Sequence, residues 1–428
     1  MIFFLAVSVC STWAAALLLE KAEAAKRKTI ILGLTLALNL GILFVFKYLN
    51  FFVYTGRAAG NIFGVDIPLK DISLVAPMGL SFYTLQVVGY LLDVSRGTCR
   101  AEKGLLRYAL FAGFFPQLVQ GPINRYSDLA ETLYLPKKFN YEQVTFGLQR
   151  MLWGLFKKLV IAERMSVIVG TIYGDFETYS GLYIVVGTVC FAFQLYTDFS
   201  GAMDIALGLS EALGIRMAEN FDNPFFARSI SEYWRRWHIT LGTWMKDYVF
   251  YPLLKSNLFV SIGDRAKNRL GKKKGKKIPT YLGMAVLWFT VGFWHGGAWK
   301  YIIGSGLLHC FYIISGQMLE PVFKKIIGFF KVNTECYSFH LFQTIRTFFL
   351  VCIGFVFFRA SSAGTAVRMI RAALYPNVWV FTDGSLLKLG LDTPDFVIGF
   401  VSLGILLLAS LLQQKFHAEH KTVRGVLS

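Results

Sequence analysis

The sequence contains six cysteines, and no two of them stand as a CxxC pair. Cys10, Cys99, Cys190, Cys310, Cys336 and Cys352 are scattered, mostly inside apolar runs, so neither a zinc site nor a disulfide framework is implied. Buried single cysteines behave as small hydrophobes. No HExxH or comparable metal-ligand spacing occurs, and no metal site is expected. The formal charge of +18 comes without an aromatic-interleaved RNA-binding pattern or a helix-turn-helix signal, which argues against nucleic acid as a partner. There is no internal repeat at a fixed short period, and the one low-complexity stretch is the Lys/Gly run at 271–277. No basic residue precedes the first apolar run, whereas Lys21, Lys26, Arg27 and Lys28 follow it. That polarity is wrong for a secretory signal, even though Ala22-Glu23-Ala24 looks like a cleavage site. It predicts a retained first helix that starts outside and ends inside.

What the chain has in abundance is apolar surface. It is 55 % hydrophobic and 16 % aromatic, with a mean hydropathy of +0.51, too apolar for an ordinary soluble protein. A spanning helix needs about 20 mostly apolar residues. Such runs lie near 2–19, 29–48, 73–92, 105–120, 145–171, 179–199, 281–294, 300–318, 341–358 and 395–413. They predict an all-α polytopic membrane protein with about 10–12 transmembrane helices. Length alone would suggest two or three soluble domains, but the continuous apolar pattern predicts one membrane domain over 1–428. Cations cluster in short loops, at Lys137 and Lys138, at Lys324 and Lys325, and in the block at 265–277. Such clusters face the cytoplasm and set topology. The block could also attract an anionic donor or lipid head groups.

From about residue 73, polar groups, Gly and Pro enter the apolar stretches, and 73–310 reads as the working core. Irregular backbone is tolerated in a bilayer only where it is buried in protein or lines water. In the run 76–97, Gln86, Tyr90 and Asp93 share one helical face. They either pin neighbouring helices or wall a hydrated passage. Residues 114–129, with Pro116, Gln117, Gln120, Gly121 and Pro122, predict a broken or re-entrant element. Asp198, Asp204 and Glu211 lie in an otherwise apolar stretch, where ion pairing with Arg216 or with Arg235 and Arg236 is expected. Residues 233–253, with Arg235, Arg236, Trp237, His238, Lys246 and Asp247, are too charged to span and too aromatic for a free loop. An interfacial amphipathic element fits them. After 320 the spans become simpler, with a polar stretch near 375–393 and a basic tail after 414.

Two histidines stand out. His238 lies in YWRRWHITLGTWMKDYVFYPL (233–253) and His295 in FWHGGAW (293–299). Ionisable groups at membrane depth are costly and are rarely idle, and histidine exchanges a proton near neutral pH. An imidazole can take the proton of an alcohol as it attacks a thioester carbonyl. Gly296 and Gly297 permit close backbone approach and can offer amides to an oxyanion. Trp294 and Trp299 can wall the site against water. His309 is either a neighbour of the site or a helix-packing group, while His340, His417 and His420 are expected to be solvated.

With these residues in view, the chain resembles the membrane-bound O-acyltransferase (MBOAT) family, in particular its alginate O-acetyltransferase-like branch. The resemblance rests on SFYTLQVVGYLLDVSRG (81–97), FFPQLVQGPINRYSDL (114–129), GLFKKLVIAERM (154–165), FQLYTDFSGAMDIALGLSEALG (193–214), the 233–253 segment, FWHGGAWKYIIGSGLLHC (293–310) and GFVFFRASS (354–362), in that order. Two departures accompany it: a shorter N-terminus than is usual in this branch, and Ile303-Gly304-Ser305-Gly306 where relatives often place a Trp before the Gly.

The resemblance implies a ring of helices, with re-entrant and interfacial helices, around a central tunnel. It implies His295 as the catalytic histidine and His238 as the second polar residue of the site. The path is expected to involve Trp294, Gly296, Gly297, Trp299, Trp237, Arg235, Arg236, Gln86, Tyr90, Gln117, Asp198 and His309. The implied donor is a cytosolic thioester, acetyl-CoA or another acyl thioester, with no permanently bound cofactor. The implied acceptor lies outside the cell membrane, is a polysaccharide, and is reached through an extracytoplasmic protein partner. Two rival readings remain: D-alanyl transfer to teichoic acid, and a small-solute transporter, which would often show two comparable halves.

Overall fold

The computed structural model describes residues 2–68, 70 and 72–418. His420 and the rest of the tail beyond 418 lie outside the described residues, as does the side chain of His417. Among the described residues the secondary structure is helical, apart from one isolated antiparallel bridge between Phe221 and Trp237.

Six described helices are long and apolar enough to cross a bilayer: Ile2–Lys21, Ala25–Lys47, Leu182–Ala212, Trp299–Phe329, Tyr337–Arg359 and Thr393–Gln414. The remaining apolar runs take other forms, each for a local reason. The run at 73–92 yields a helix of 16 residues, Leu80–Ser95, because Gly79 breaks the chain before it at φ 72°. That left-handed conformation, pressed against the Leu118 carbonyl, leaves no room for a Cβ. The run at 105–120 divides into Leu105–Ala112 and Phe115–Leu118, with Pro116 in the first turn of the second. The run at 145–171 is a helical stretch carrying Arg150, Lys157, Lys158, Glu163 and Arg164, widened by a π-helical segment at Phe156–Ala162. The interfacial segment becomes the short helices Ile230–Arg236, Ile239–Met245 and Tyr251–Lys255, with π-helical Lys246–Phe250 before the last.

The chain folds as two compact units, each assembled from separated stretches. The first comprises the described residues up to 151, 203–219 and 240–302. Its core packs Val87, Tyr90, Leu91, Tyr108, Phe111 and Tyr126 beside the small residues Ala15 and Ala16. Lipid is as apolar as these side chains, so close packing and hydrogen bonds hold such helices together more than water exclusion does. Thr12 Oγ1 lies 2.8 Å from Tyr108 Oη, and Asn39 Nδ2 donates to Ser11 Oγ at 3.2 Å. The Tyr248 hydroxyl donates to Asp93 Oδ2 at 2.7 Å, Trp244 Nε1 donates to the Leu85 carbonyl at 2.9 Å, and Arg125 pairs with Asp247. The basic block sits mostly on helix Asn257–Gly275, which buries Phe259, Gly263, Ala266 and Gly275 and leaves its cations in the open.

The second unit comprises 152–202, 220–239 and the described residues from 303 onward. Its core includes Ile184, Val356, Phe357, Ala360, Ala366 and Met369. Lys158 pairs with Asp198, Arg164 with Asp395 at 2.8 Å, and Lys157 Nζ donates to Ser200 Oγ at 2.9 Å. All six cysteines are free thiols; Cys310 and Cys352 are buried, whereas Cys10 is exposed.

Candidate active site

In the first unit, helix Ile278–His295 ends at the sequence Trp294-His295-Gly296-Gly297, and Trp299 begins the next helix. The reversal is tight. The Ala298 N–H donates to the Gly296 carbonyl at 2.7 Å. A Cβ on Gly296 would lie 2.6 Å from the Tyr301 ring, and one on Gly297 would lie 2.9 Å from Phe51 Cβ. Both glycines therefore allow a close approach, as the sequence suggested.

Helix Ala25–Lys47 supplies the other wall. Lys47 Nζ donates to the Trp294 carbonyl and, at 3.0 Å, to Ser81 Oγ. It also lies 4.8 Å from the centre of the Trp294 ring, a cation–π distance. The Tyr48 hydroxyl donates to the same carbonyl at 3.4 Å, and its ring stacks on Phe293 at 4.1 Å. Trp294 meets Phe82 edge to face, while Trp299 packs on Phe51 and donates its indole N–H to Thr55 Oγ1 at 3.3 Å. His295 is thus a half-buried imidazole at a helix end, and the carbonyl before it is held by two adjacent residues, Lys47 and Tyr48.

Gly292 sets this geometry from one turn away. A Cβ there would lie 2.7 Å from both Ile302 Cα and the Tyr301 carbonyl oxygen. Backbone cannot yield as a flexible side chain can, and overpacking typically costs about 1–3 kcal/mol. Gly292→Val is expected to unfold at a clearly lower temperature in detergent than the wild type. An unchanged melting temperature would show that the two helices can part freely.

The same unit holds a polar interior. Gln117 Nε2 donates to the Phe111 carbonyl at 2.7 Å, and its Oε1 accepts from Asn124 Nδ2 at 2.8 Å. Asn124 Oδ1 accepts from the Ala218 N–H at 3.0 Å, and Gln86 Nε2 reaches the Pro122 carbonyl at 3.4 Å. Tyr83 Oη, Thr84 Oγ1 and Gln86 Oε1 are buried without a hydrogen-bond partner among the described residues. Buried polar atoms of this kind call for water or a ligand. Tyr90 differs. Its ring is packed among Tyr108 and Tyr126, and its hydroxyl accepts the Glu102 N–H at 2.8 Å. The Tyr90 and Asp93 side chains thus each hold a hydrogen bond within the unit.

In the second unit, His238 is 1 % exposed and sits between two short helices at φ 47°. A non-glycine residue persists there only when its surroundings impose it. The imposition is visible: the Asp222 N–H donates to the Arg236 carbonyl at 2.9 Å, and the Ile239 N–H to the Asn220 carbonyl at 3.0 Å. The His238 ring meets Phe199 edge to face at 4.9 Å, and its Nδ1 lies 3.3 Å from Asn220 Oδ1. Trp237 is buried among Tyr196, Phe221, Phe225 and Tyr233. Arg236 pairs with Glu232 at 2.7 Å, whereas Arg235 is exposed. His309 lies against Trp234 at 5.1 Å and faces Gly354, where a Cβ would come within 2.8 Å of its Nε2. Asp198 pairs with Lys158, not with the arginines expected from the sequence, because the helical stretch before residue 174 runs beside it.

A model of the family described as membrane-bound O-acyltransferase matches residues 100–263. A Pseudomonas syringae pv. tomato protein named "Probable alginate O-acetylase" is 32 % identical over 388 residues, covering 90 % of this chain and 69 % of that relative. The chain belongs to the membrane-bound O-acyltransferase family. It is a multi-pass membrane O-acyltransferase, which sets the transporter reading aside. This acyltransferase is also similar to a peptidoglycan O-acetyltransferase of Helicobacter pylori, 28 % identical over 83 % of the chain and 66 % of the relative. A teichoic acid D-alanyltransferase of Bacillus subtilis is 26 % identical over 67 % of the chain and 69 % of the relative. The chain spans about two thirds of the length of the curated relatives it matches. The matched family segment contains His238 and stops before His295.

Two residues at the acyltransferase's histidines escaped the sequence reading. Lys47 passed for the charged end of an ordinary span. The signal that could have found it is the aromatic run Phe51-Phe52-Val53-Tyr54, which follows almost at once where a loop would be expected. Asn220 carried no signal, since its contact with His238 depends on a chain reversal.

Proposed function

We propose that this acyltransferase passes an acetyl group from a cytosolic thioester, acetyl-CoA or another acyl thioester, across the cell membrane for O-acetylation of an extracytoplasmic polysaccharide. The observation that carries this reading is the Trp294-His295-Gly296-Gly297 turn, an imidazole held at a helix end and followed by two closely approached glycines. In this mechanism His295 takes the proton of the acceptor hydroxyl as its oxygen attacks the thioester carbonyl. The C–S bond then breaks, and the imidazolium returns the proton to the departing thiolate. The Gly296 and Gly297 amides face the developing oxyanion, and Trp294 and Trp299 limit water. His238 orients the acceptor or relays the proton. An acyl-histidine intermediate would divide the same transfer into two steps.

We assign Gln86, Gln117, Trp237, Arg235, Arg236, Asp198 and His309 to the path of the substrates. The orphaned Tyr83, Thr84 and Gln86 atoms support a polar, hydrated interior beside Ser81. Residues 1–428 then act as one catalytic domain with 73–310 as its core, in the plasma or inner membrane, alongside an extracytoplasmic acetyl-accepting protein.

The alginate acetylase likeness spans more of the chain than the D-alanyltransferase likeness, which favours acetyl as the group moved. Mass spectrometry of cell-surface polymers from wild-type and deletion strains tests the proposal. Loss of acetyl esters from one polymer is the expected result. Loss of D-alanyl esters would replace acetyl by the second reading, and unchanged polymers would overturn both.

A further inference from the structure

The strap at 220–222 grips residues 236–239 on both sides of His238. Three contacts do this: the Asp222 N–H to the Arg236 carbonyl, the Phe221–Trp237 bridge, and the Ile239 N–H to the Asn220 carbonyl. Asn220 thus holds the backbone just after His238 with its carbonyl and faces the His238 ring with its side chain. It is 1 % exposed, as is His238. Its Oδ1 faces Nδ1 of the ring at 3.3 Å. A carboxamide oxygen has no proton to give, so the contact is a hydrogen bond only when Nδ1 carries the hydrogen. A neutral imidazole has one N–H, which leaves Nε2 as the nitrogen with the lone pair. The other nitrogen's partner is what sets which ring nitrogen is protonated.

We propose that Asn220 is a positioning residue that locks neutral His238 in the Nδ1–H tautomer, so that Nε2 carries the lone pair with which His238 orients the acceptor or relays its proton. The left-handed backbone at His238 aims the ring, and Asn220 chooses its reactive nitrogen. Strain at φ 47° and the tautomer contact come from the same three-residue strap, so the orientation and the protonation pattern are built together. The inference rests on the reading of His238 as a site residue. It assigns the donor and acceptor roles of the ring, which neither the family resemblance nor the sequence specifies.

The test uses full-length protein in lipid, with ¹⁵N-labelled histidine, and identifies the His238 signal by its loss in His238→Gln. The wild type is expected to show protonated Nδ1 and bare Nε2 at a pH where the ring is neutral. Asn220→Leu removes the acceptor and is expected to move the proton toward Nε2. It should also lower kcat at least about tenfold, with KM for the thioester little changed, because a wrongly placed imidazole proton interrupts a relay. Asn220→Asp keeps an acceptor at the same distance and is expected to restore the Nδ1–H signature and much of the rate. A wild-type spectrum with Nε2 protonated overturns the assignment, even if Asn220→Leu does not fold. A tautomer switch in Asn220→Leu with kcat unchanged overturns the positioning role. The spectrum needs no turnover, so an error in the proposed reaction would leave the tautomer result standing and separately readable.

Discussion

His295→Ala is expected to lower acyl transfer by about 10²- to 10⁴-fold, the usual worth of a positioned general base. The protein should remain folded. The imidazole is half-buried, and the neighbouring contacts run through the Trp294 carbonyl, the Trp294 ring and Phe293. Removing a half-buried ring at a helix end leaves those anchors in place. The comparison to make is transfer rate per folded molecule, with thermal unfolding in detergent measured on the same samples. Undiminished transfer by a well-folded His295→Ala protein would remove His295 from the chemistry. Loss of folding instead would assign the ring a packing role. His295→Gln sharpens the distinction, since it retains size and polarity but cannot cycle a proton.

Arg150→Met is expected to be the most damaging substitution for stability. Arg150 Nε donates to Asp204 Oδ1 at 3.0 Å, and its two terminal nitrogens clasp Glu219 at 2.7 and 2.6 Å. The Asp204 side chain is only 15 % exposed, on a helix that is otherwise largely apolar. Taking away the cation removes the guanidinium that faces both carboxylates, and breaking a buried pair costs about 3–5 kcal/mol. Glu219 is far more open, so the lower end of that range applies here. Against a total stability of about 5–15 kcal/mol, such a loss should sharply reduce the yield of folded protein. Asp204→Asn in the same chain should recover part of the loss, because the charge that Arg150 had faced is gone. Additive losses in the double-mutant cycle would show that the two side chains do not act as a pair.

Much of the candidate site's local geometry is legible in the sequence because its signals are local. His295 and its two glycines stand consecutively, and the break at Gly79 and the short helix at Pro116 follow from backbone rules that act within a few residues. Other features depend on contacts between distant residues. Asp198 and Asp204 were expected to meet arginines after residue 215, yet they meet Lys158 and Arg150. Pairing of that kind is decided by which helices lie side by side. Tyr90 matched the spacing of a passage wall, but the Glu102 N–H took its hydroxyl. The expectation of ten to twelve spans counted apolar runs, whereas the charged stretch from 141 to 174 carries π-helical turns that composition does not announce. Asn220 lay in a loop, where nothing marked it as the partner of a histidine 18 positions later.

The first unit is closed by its last stretch, 240–302, which carries His295, while its first stretch ends at 151. During synthesis, therefore, the opening helices must wait in the bilayer until 240–302 has been made. A nascent chain halted before residue 294 holds Lys47 with no Trp294 carbonyl to bind. The Trp294-His295-Gly296-Gly297 turn thus becomes available while three of the six candidate spans, Trp299–Phe329, Tyr337–Arg359 and Thr393–Gln414, are still to be made.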